Sequence, residues 1–141
     1  MTVALVDDQL LSAVLRGRAP RILRDKQLFT TGCWYVRLCQ AAHSKLDPPG
    51  SLSGPFADLP EPLRERAFAS LFALPDDIGL LSLRDLGPRI GELRSRYRLN
   101  LLAAEALAAA IVLDARVYVK TMSTNDESAF RAEGIATKTV L

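Results

Sequence analysis

The sequence predicts an α/β fold: three layers, α/β/α, around a mostly parallel central sheet of four or five strands. Three observations carry that prediction. Short runs rich in β-branched residues alternate with longer stretches of helical apolar spacing along the whole chain. The opening run Met1-Thr2-Val3-Ala4-Leu5-Val6 is apolar almost throughout, as expected of an interior strand covered on both faces. It ends in Asp7-Asp8 and passes straight into Gln9-Leu10-Leu11-Ser12-Ala13-Val14-Leu15, which has helical spacing.

Length and composition agree with one domain over residues 1–141. With 141 residues, 49% hydrophobic, the chain can bury a substantial core without disulfides or metal staples. The formal net charge of +2 is too small to imply nucleic-acid binding alone. Between Arg16 and Lys45, however, Arg16, Arg18, Arg21, Arg24, Lys26, Arg37 and Lys45 face only Asp25, so the N-terminal third is locally basic. That pattern suits a solvated face and, as the alternative, a phosphate-binding patch. Cys33 and Cys39 are six apart and match neither a zinc pair nor a redox CxxC, which leaves them as small core residues of a reduced, cytoplasmic protein. No stretch is long and apolar enough for a signal peptide or a membrane span, so a soluble chain is expected.

The first helix is expected over about Asp8 to Leu15, ending at Gly17 with Pro20 beyond it. Gln27–Thr30 reads as a second strand. Thr30 or Thr31 can then cap a helix over roughly Gly32 to Ala42, in which Trp34, Leu38 and Ala41 share a buried stripe. His43, the single histidine, ends this helix without a visible partner, which argues against a Ser-His-Asp or histidine-rich metal site. Residues 47–62 hold five prolines and two glycines and are expected to be loop. An amphipathic helix from Pro62 to Leu74 follows, then a strand from Ile78 to Leu83, and a helix that begins at Pro88.

Leu99 to Leu113 is the most strongly helical stretch. Within it Glu105 has only apolar helical neighbours, so a buried carboxylate there must be paired, hydrogen-bonded, protonated or metal-bound. A functional acid and a structural partner for an arginine are both open. Arg116–Thr121 reads as a fourth strand, Thr124 as the cap of a short helix to Ala132, and Ile135–Val140 as a last strand. Neither GxGxxG nor GxxxxGK[ST] occurs. Asp7 and Asp8 fall beyond the carboxyl end of a strand, where α/β proteins build ligand sites. They also suit the first turn of the helix, and the sequence leaves both duties open.

The chain resembles the PIN domains, a family that includes the ribonuclease toxins of toxin–antitoxin pairs. The residues that carry the resemblance are Leu5-Val6-Asp7-Asp8-Gln9-Leu10-Leu11, the Thr30-Thr31 pair opening a helix, the Ala/Leu helix from Asn100 to Leu113 feeding Val117-Tyr118-Val119, and Glu133-Gly134-Ile135. The resemblance implies three or four acids around one or two Mg²⁺ or Mn²⁺ ions, which activate water against an RNA phosphodiester. Asp7 fits the family's first acid. The acid of the second helix falls at Arg37, a reversal of charge, and the usual later aspartate corresponds to Asn100 with Glu105 as the nearest carboxylate.

Two functional expectations follow, beside a third reading in which the chain is an unrelated structural α/β domain and Asp7 is merely a cap. In one, a rebuilt metal site of Asp7, Asp8, Glu105 and Asp126 serves an endoribonuclease of toxin–antitoxin type, with Asp7 and Glu105 as its catalytic pair. In the other, a catalytically silent PIN-like protein binds RNA or an antitoxin-like protein partner through Thr31, Arg37 and Asn100 and the basic N-terminal third. An arginine among carboxylates competes with a divalent cation, so Arg37 is expected to pair with Asp7 or Glu105 if the site is silent. The apolar surfaces of the Trp34-Tyr35 helix and the Leu63–Leu74 helix imply a homodimer.

Overall fold

The computed structural model describes residues 2–140. Five strands, β1 (Thr2–Val6), β2 (Lys26–Thr30), β3 (Ile78–Leu80), β4 (Arg116–Val119) and β5 (Thr137–Thr139), form one sheet in the order β3-β2-β1-β4-β5. Every neighbouring pair is parallel, with Leu5 opposite Phe29 on one side and Val117 on the other. The apolar strand predicted to be interior is the central one. Seven helices connect the strands: α1 (Asp8–Leu15), α2 (Gly32–Ala42), α3 (Gly54–Ala57), α4 (Glu61–Phe72), α5 (Leu83–Arg96), α6 (Leu101–Leu113) and α7 (Thr124–Ala132).

The helices make two cores by the alternation of β1 side chains. Ala4 and Val6 face Leu10 and Leu11 of α1, Phe56 of α3 and Ala67 and Leu71 of α4. Leu5 faces the other way, into a core built from Leu86, Ile90 and Leu93 of α5, the alanines of α6 and Phe130 of α7. The alanines of α6 are all buried, as their small size allows. Helix α2 serves both cores, with Trp34 in one and Leu38 in the other, and so spans the edge between the layers.

Local caps fix most boundaries. The side chains of Asp7, Thr31 and Asn100 accept from the backbone N–H groups of Leu10, Trp34 and Ala103 and start α1, α2 and α6. Asp114 ends α6 in the left-handed region at φ 49°.

Four local expectations are corrected. Residues 47–62 are not all loop, because Gly54–Ala57 forms a helical turn around buried Phe56 and α4 starts at Glu61. Helix α5 starts at Leu83 under a Ser82 cap, and Pro88 sits inside it. The buried stripe Leu86, Ile90 and Leu93 outweighs the lost hydrogen bond, and Arg84, whose carbonyl that bond would have used, is exposed to water. Ser123 rather than Thr124 caps α7, accepting from the Asp126 N–H. His43 does have a partner, for its ring stacks on Phe72 at 5.1 Å.

Among the described residues no helix is long and apolar enough to cross a membrane.

Candidate functional site

In the strand order β3-β2-β1-β4-β5, the connection from β1 goes to one side of the sheet while β4 lies on the other. Helical connections leave a crevice beyond the carboxyl ends of such a pair. A cleft of about 450 Å³ opens there, walled by Asp7, Asp8, Trp34, Arg37, Ser123 and Asp126 among others.

Asp7 ties the crevice together. Its N–H donates to the Tyr118 carbonyl at 3.2 Å, continuing the β1–β4 ladder by one residue. One carboxylate oxygen accepts from the Leu10 N–H and the other from the Lys120 N–H, both at 2.8 Å. Asp7 is thus both the cap of α1 and a clamp between adjacent strand ends. Burial raises its pKa from 3.8 to about 6; the two backbone N–H groups oppose that rise, and the neighbouring Asp8 charge adds to it.

Asp8 occupies the first turn of α1 and is also buried. Its Oδ1 accepts from the Gln9 N–H at 2.9 Å. Its Oδ2 is buried and has no hydrogen-bond partner. Arg37 approaches that atom from α2, Nε to Oδ2 at 3.5 Å, too far for a good hydrogen bond. Burial raises the Asp8 pKa, and the Arg37 guanidinium pulls the other way. Two adjacent, buried, aspartate side chains with one oxygen unsatisfied are costly unless something charged and positive meets them.

Glu105 is fully buried, and the structure does not bring it to the cleft wall. Its two oxygens accept from the Gly32 N–H at 3.1 Å and the Cys33 N–H at 2.8 Å. These are orphan donors of the first turn of α2, so the carboxylate caps that helix from another element and meets the positive end of its dipole. A β-carbon at position 32 would lie 3.1 Å from Glu105 Oε2, so Gly32 makes the approach easy. The pairing joins residues 73 apart in sequence. The expectation of Glu105 as catalytic acid and metal ligand gives way to an anchoring duty, and its partner is backbone rather than an arginine.

The other candidates separate cleanly. Asp126 lines the cleft from α7. Thr31 is buried and Asn100 exposed, and the side chain of each caps a helix. Arg37 pairs with Asp8 rather than with Asp7 or Glu105. Of the remaining basic residues of the N-terminal third, Arg18, Arg21 and Arg24 lie between the end of α1 and the start of β2 and Lys26 opens β2, at the end of the sheet opposite the cleft. Trp34 is buried in the core as expected, and also walls the cleft. Cys33 is half-buried and its thiol is pushed up to about 11 by burial and by Glu105, which makes it inert near neutral pH.

Sequence reasoning missed the Lys120 N–H and the Asp8–Arg37 pair. Only the spacing of Trp34 and Arg37, one turn apart on α2, hinted that a residue anchored in the core would carry a charge to the same place.

Among the described residues no three Asp, Glu, His or Cys side chains converge as a metal cage. The cleft instead offers an aspartate pair, with Asp126 of α7 also in its lining. Mg²⁺ keeps several waters and is commonly held by one or two carboxylates together with substrate phosphates, so this donor set fits an incomplete shell that a substrate completes. No protein-family model and no curated protein sequence matches the chain.

Proposed function

We propose that the chain is a PIN-like domain that cleaves RNA phosphodiesters with one Mg²⁺ or Mn²⁺ ion shared between Asp7, Asp8 and the substrate. The observation that carries this reading is the buried Oδ2 of Asp8, which accepts no hydrogen bond, beside Asp7 on the cleft wall. Charge supports it as well. Three carboxylates, Asp7, Asp8 and Asp126, face one guanidinium in the cleft, and a phosphodiester is repelled from such a wall unless a cation intervenes.

Asp7 and Asp8 would hold the ion, and Asp126, which lines the same cleft, would add to the negative charge around it. A bound Mg²⁺ or Mn²⁺ supplies Lewis-acid polarisation of the phosphoryl oxygen and a more acidic water. The chain's own contribution is placement. The Leu10 and Lys120 N–H groups fix the Asp7 carboxylate, and Glu105 and Thr31 fix the start of α2, so Arg37 is presented from a rigid base. Asp7, with its pKa near 6, is mostly ionised at neutral pH and so carries the charge that a cation needs.

The test is Mn²⁺ titration with single-stranded RNA cleavage, comparing wild type with Asp8→Asn. Millimolar binding and cleavage by the wild type, both lost in the variant, are expected. A second reading is favoured by one observation, the Arg37–Asp8 pair at 3.5 Å, which already sets a positive charge against the free carboxylate oxygen. In it the protein is catalytically silent and binds RNA or an antitoxin-like protein through Arg37. A wild type that takes up no Mn²⁺ and cleaves nothing would establish that reading over the first.

A further inference from the structure

Arg37 is the one residue of the cleft whose charge has the sign of the cation it would compete with. Its position is fixed but its head group is not. The backbone of α2 is pinned by the Thr31 cap, by Glu105 on the Gly32 and Cys33 N–H groups, and by buried Trp34 and Leu38, one turn apart on the same stripe of the helix. The Arg37 side chain is 54% exposed, whereas that of Asp8 is 7% exposed. Of the two partners only the arginine has room to move. The contact that holds it is a single Nε at 3.5 Å rather than a two-pronged guanidinium–carboxylate pair.

We propose that Arg37 is a displaceable counter-ion: it neutralises Asp8 in the cation-free cleft and turns to the substrate phosphate when a divalent cation takes Asp8. The inference rests on the cation reading of the cleft. It follows from the order of charges. A cation arriving at Asp8 Oδ2 repels the guanidinium and removes its partner at once. The released fork has the geometry to hold two phosphate oxygens, on the same wall where the phosphodiester must lie. Arg37 thus weakens cation binding before substrate arrives and strengthens substrate binding after it, so the cleft holds cation and RNA together better than either alone.

Arg37→Gln separates the two roles. Mn²⁺ binding is followed by electron paramagnetic resonance. RNA binding is followed by fluorescence anisotropy of a labelled, cleavage-resistant phosphorothioate single strand, at Mn²⁺ concentrations that saturate each protein. Mn²⁺ should bind the variant roughly 2- to 5-fold more tightly, the fold-change of removing a partly exposed ion pair. RNA should bind it about 10-fold more weakly, as for a lost charged contact to phosphate. Arg37→Lys, which keeps the charge without the fork, should recover only part of the RNA affinity. Tighter Mn²⁺ with unchanged RNA binding would overturn the substrate role, and weakening of both would make Arg37 a structural residue. A wild type that binds no Mn²⁺ would remove the cation reading itself, and this inference with it.

Discussion

Replacing Asp7 by asparagine tests whether the cleft stores an electrostatic cost. Burial first, and Asp8 second, raise the folded-state pKa of Asp7 from 3.8 to about 6. A carboxyl with a raised folded pKa binds more protons in the folded state than in the unfolded one between those values. Stability is therefore highest below about pH 4, falls as pH rises to about 6, and is level above that. The fall is about 3 kcal/mol, from the separation of the two values at 1.36 kcal/mol per pH unit. Asparagine carries no charge at any pH. Its oxygen still accepts from the Leu10 N–H, since asparagine caps as well as aspartate. Its amide nitrogen, however, meets the Lys120 N–H donor-to-donor, a pH-independent loss of about 1–2 kcal/mol. The variant should therefore be less stable than wild type at pH 4 and more stable at pH 7.5, the curves crossing between. Urea denaturation of both proteins across that range measures it. A stability difference that stays flat with pH, or changes in the opposite sense, would refute the placement of Asp7 as a buried, ionised carboxylate.

The other predictions are more local. Glu105→Ala should destabilise by about 3–5 kcal/mol in urea, because it leaves the half-buried Gly32 and Cys33 N–H groups without their acceptor and opens a void; Glu105→Gln should cost about half as much, since one acceptor remains. Gly79→Ala should cost about 1–3 kcal/mol by thermal denaturation, since its β-carbon would overlap Cε2 of Phe29, which must leave its rotamer. Saturating Mg²⁺ should raise the melting temperature of wild type at pH 7.5 and leave Asp8→Asn unmoved, as mass action requires of a ligand that binds only the folded state. The proposed homodimer now rests on α4 rather than α2. Trp34 is committed to the core while Leu63 is exposed, so Leu63→Glu should turn a dimer seen by light scattering into a monomer.

Element order and the site of the cleft were legible in the sequence because they depend on local signals. The apolar run of β1, closed by two aspartates, marks a central strand and the turn where a ligand crevice forms. Asp7 and Thr31 each cap a helix within three residues of themselves, so that duty can be read from their neighbours, whereas the cap that Asn100 makes on α6 emerged only with the structure. Buried Glu105 could be recognised as a carboxylate needing partners. Which partners could not be read, because a side chain on α6 meets the start of α2 only after the sheet has set the two helices at one end of it. The start of α5 was misplaced for a related reason: Gly87 and Pro88 weaken the local helical signal, and tertiary burial of Leu86, Ile90 and Leu93 overrides it. The pairing of Arg37 with Asp8 rather than Asp7 is a matter of helix phase. One residue's rotation about α1 decides which aspartate faces α2, and that rotation is fixed only when Leu10 and Leu11 pack on Ala4 and Val6.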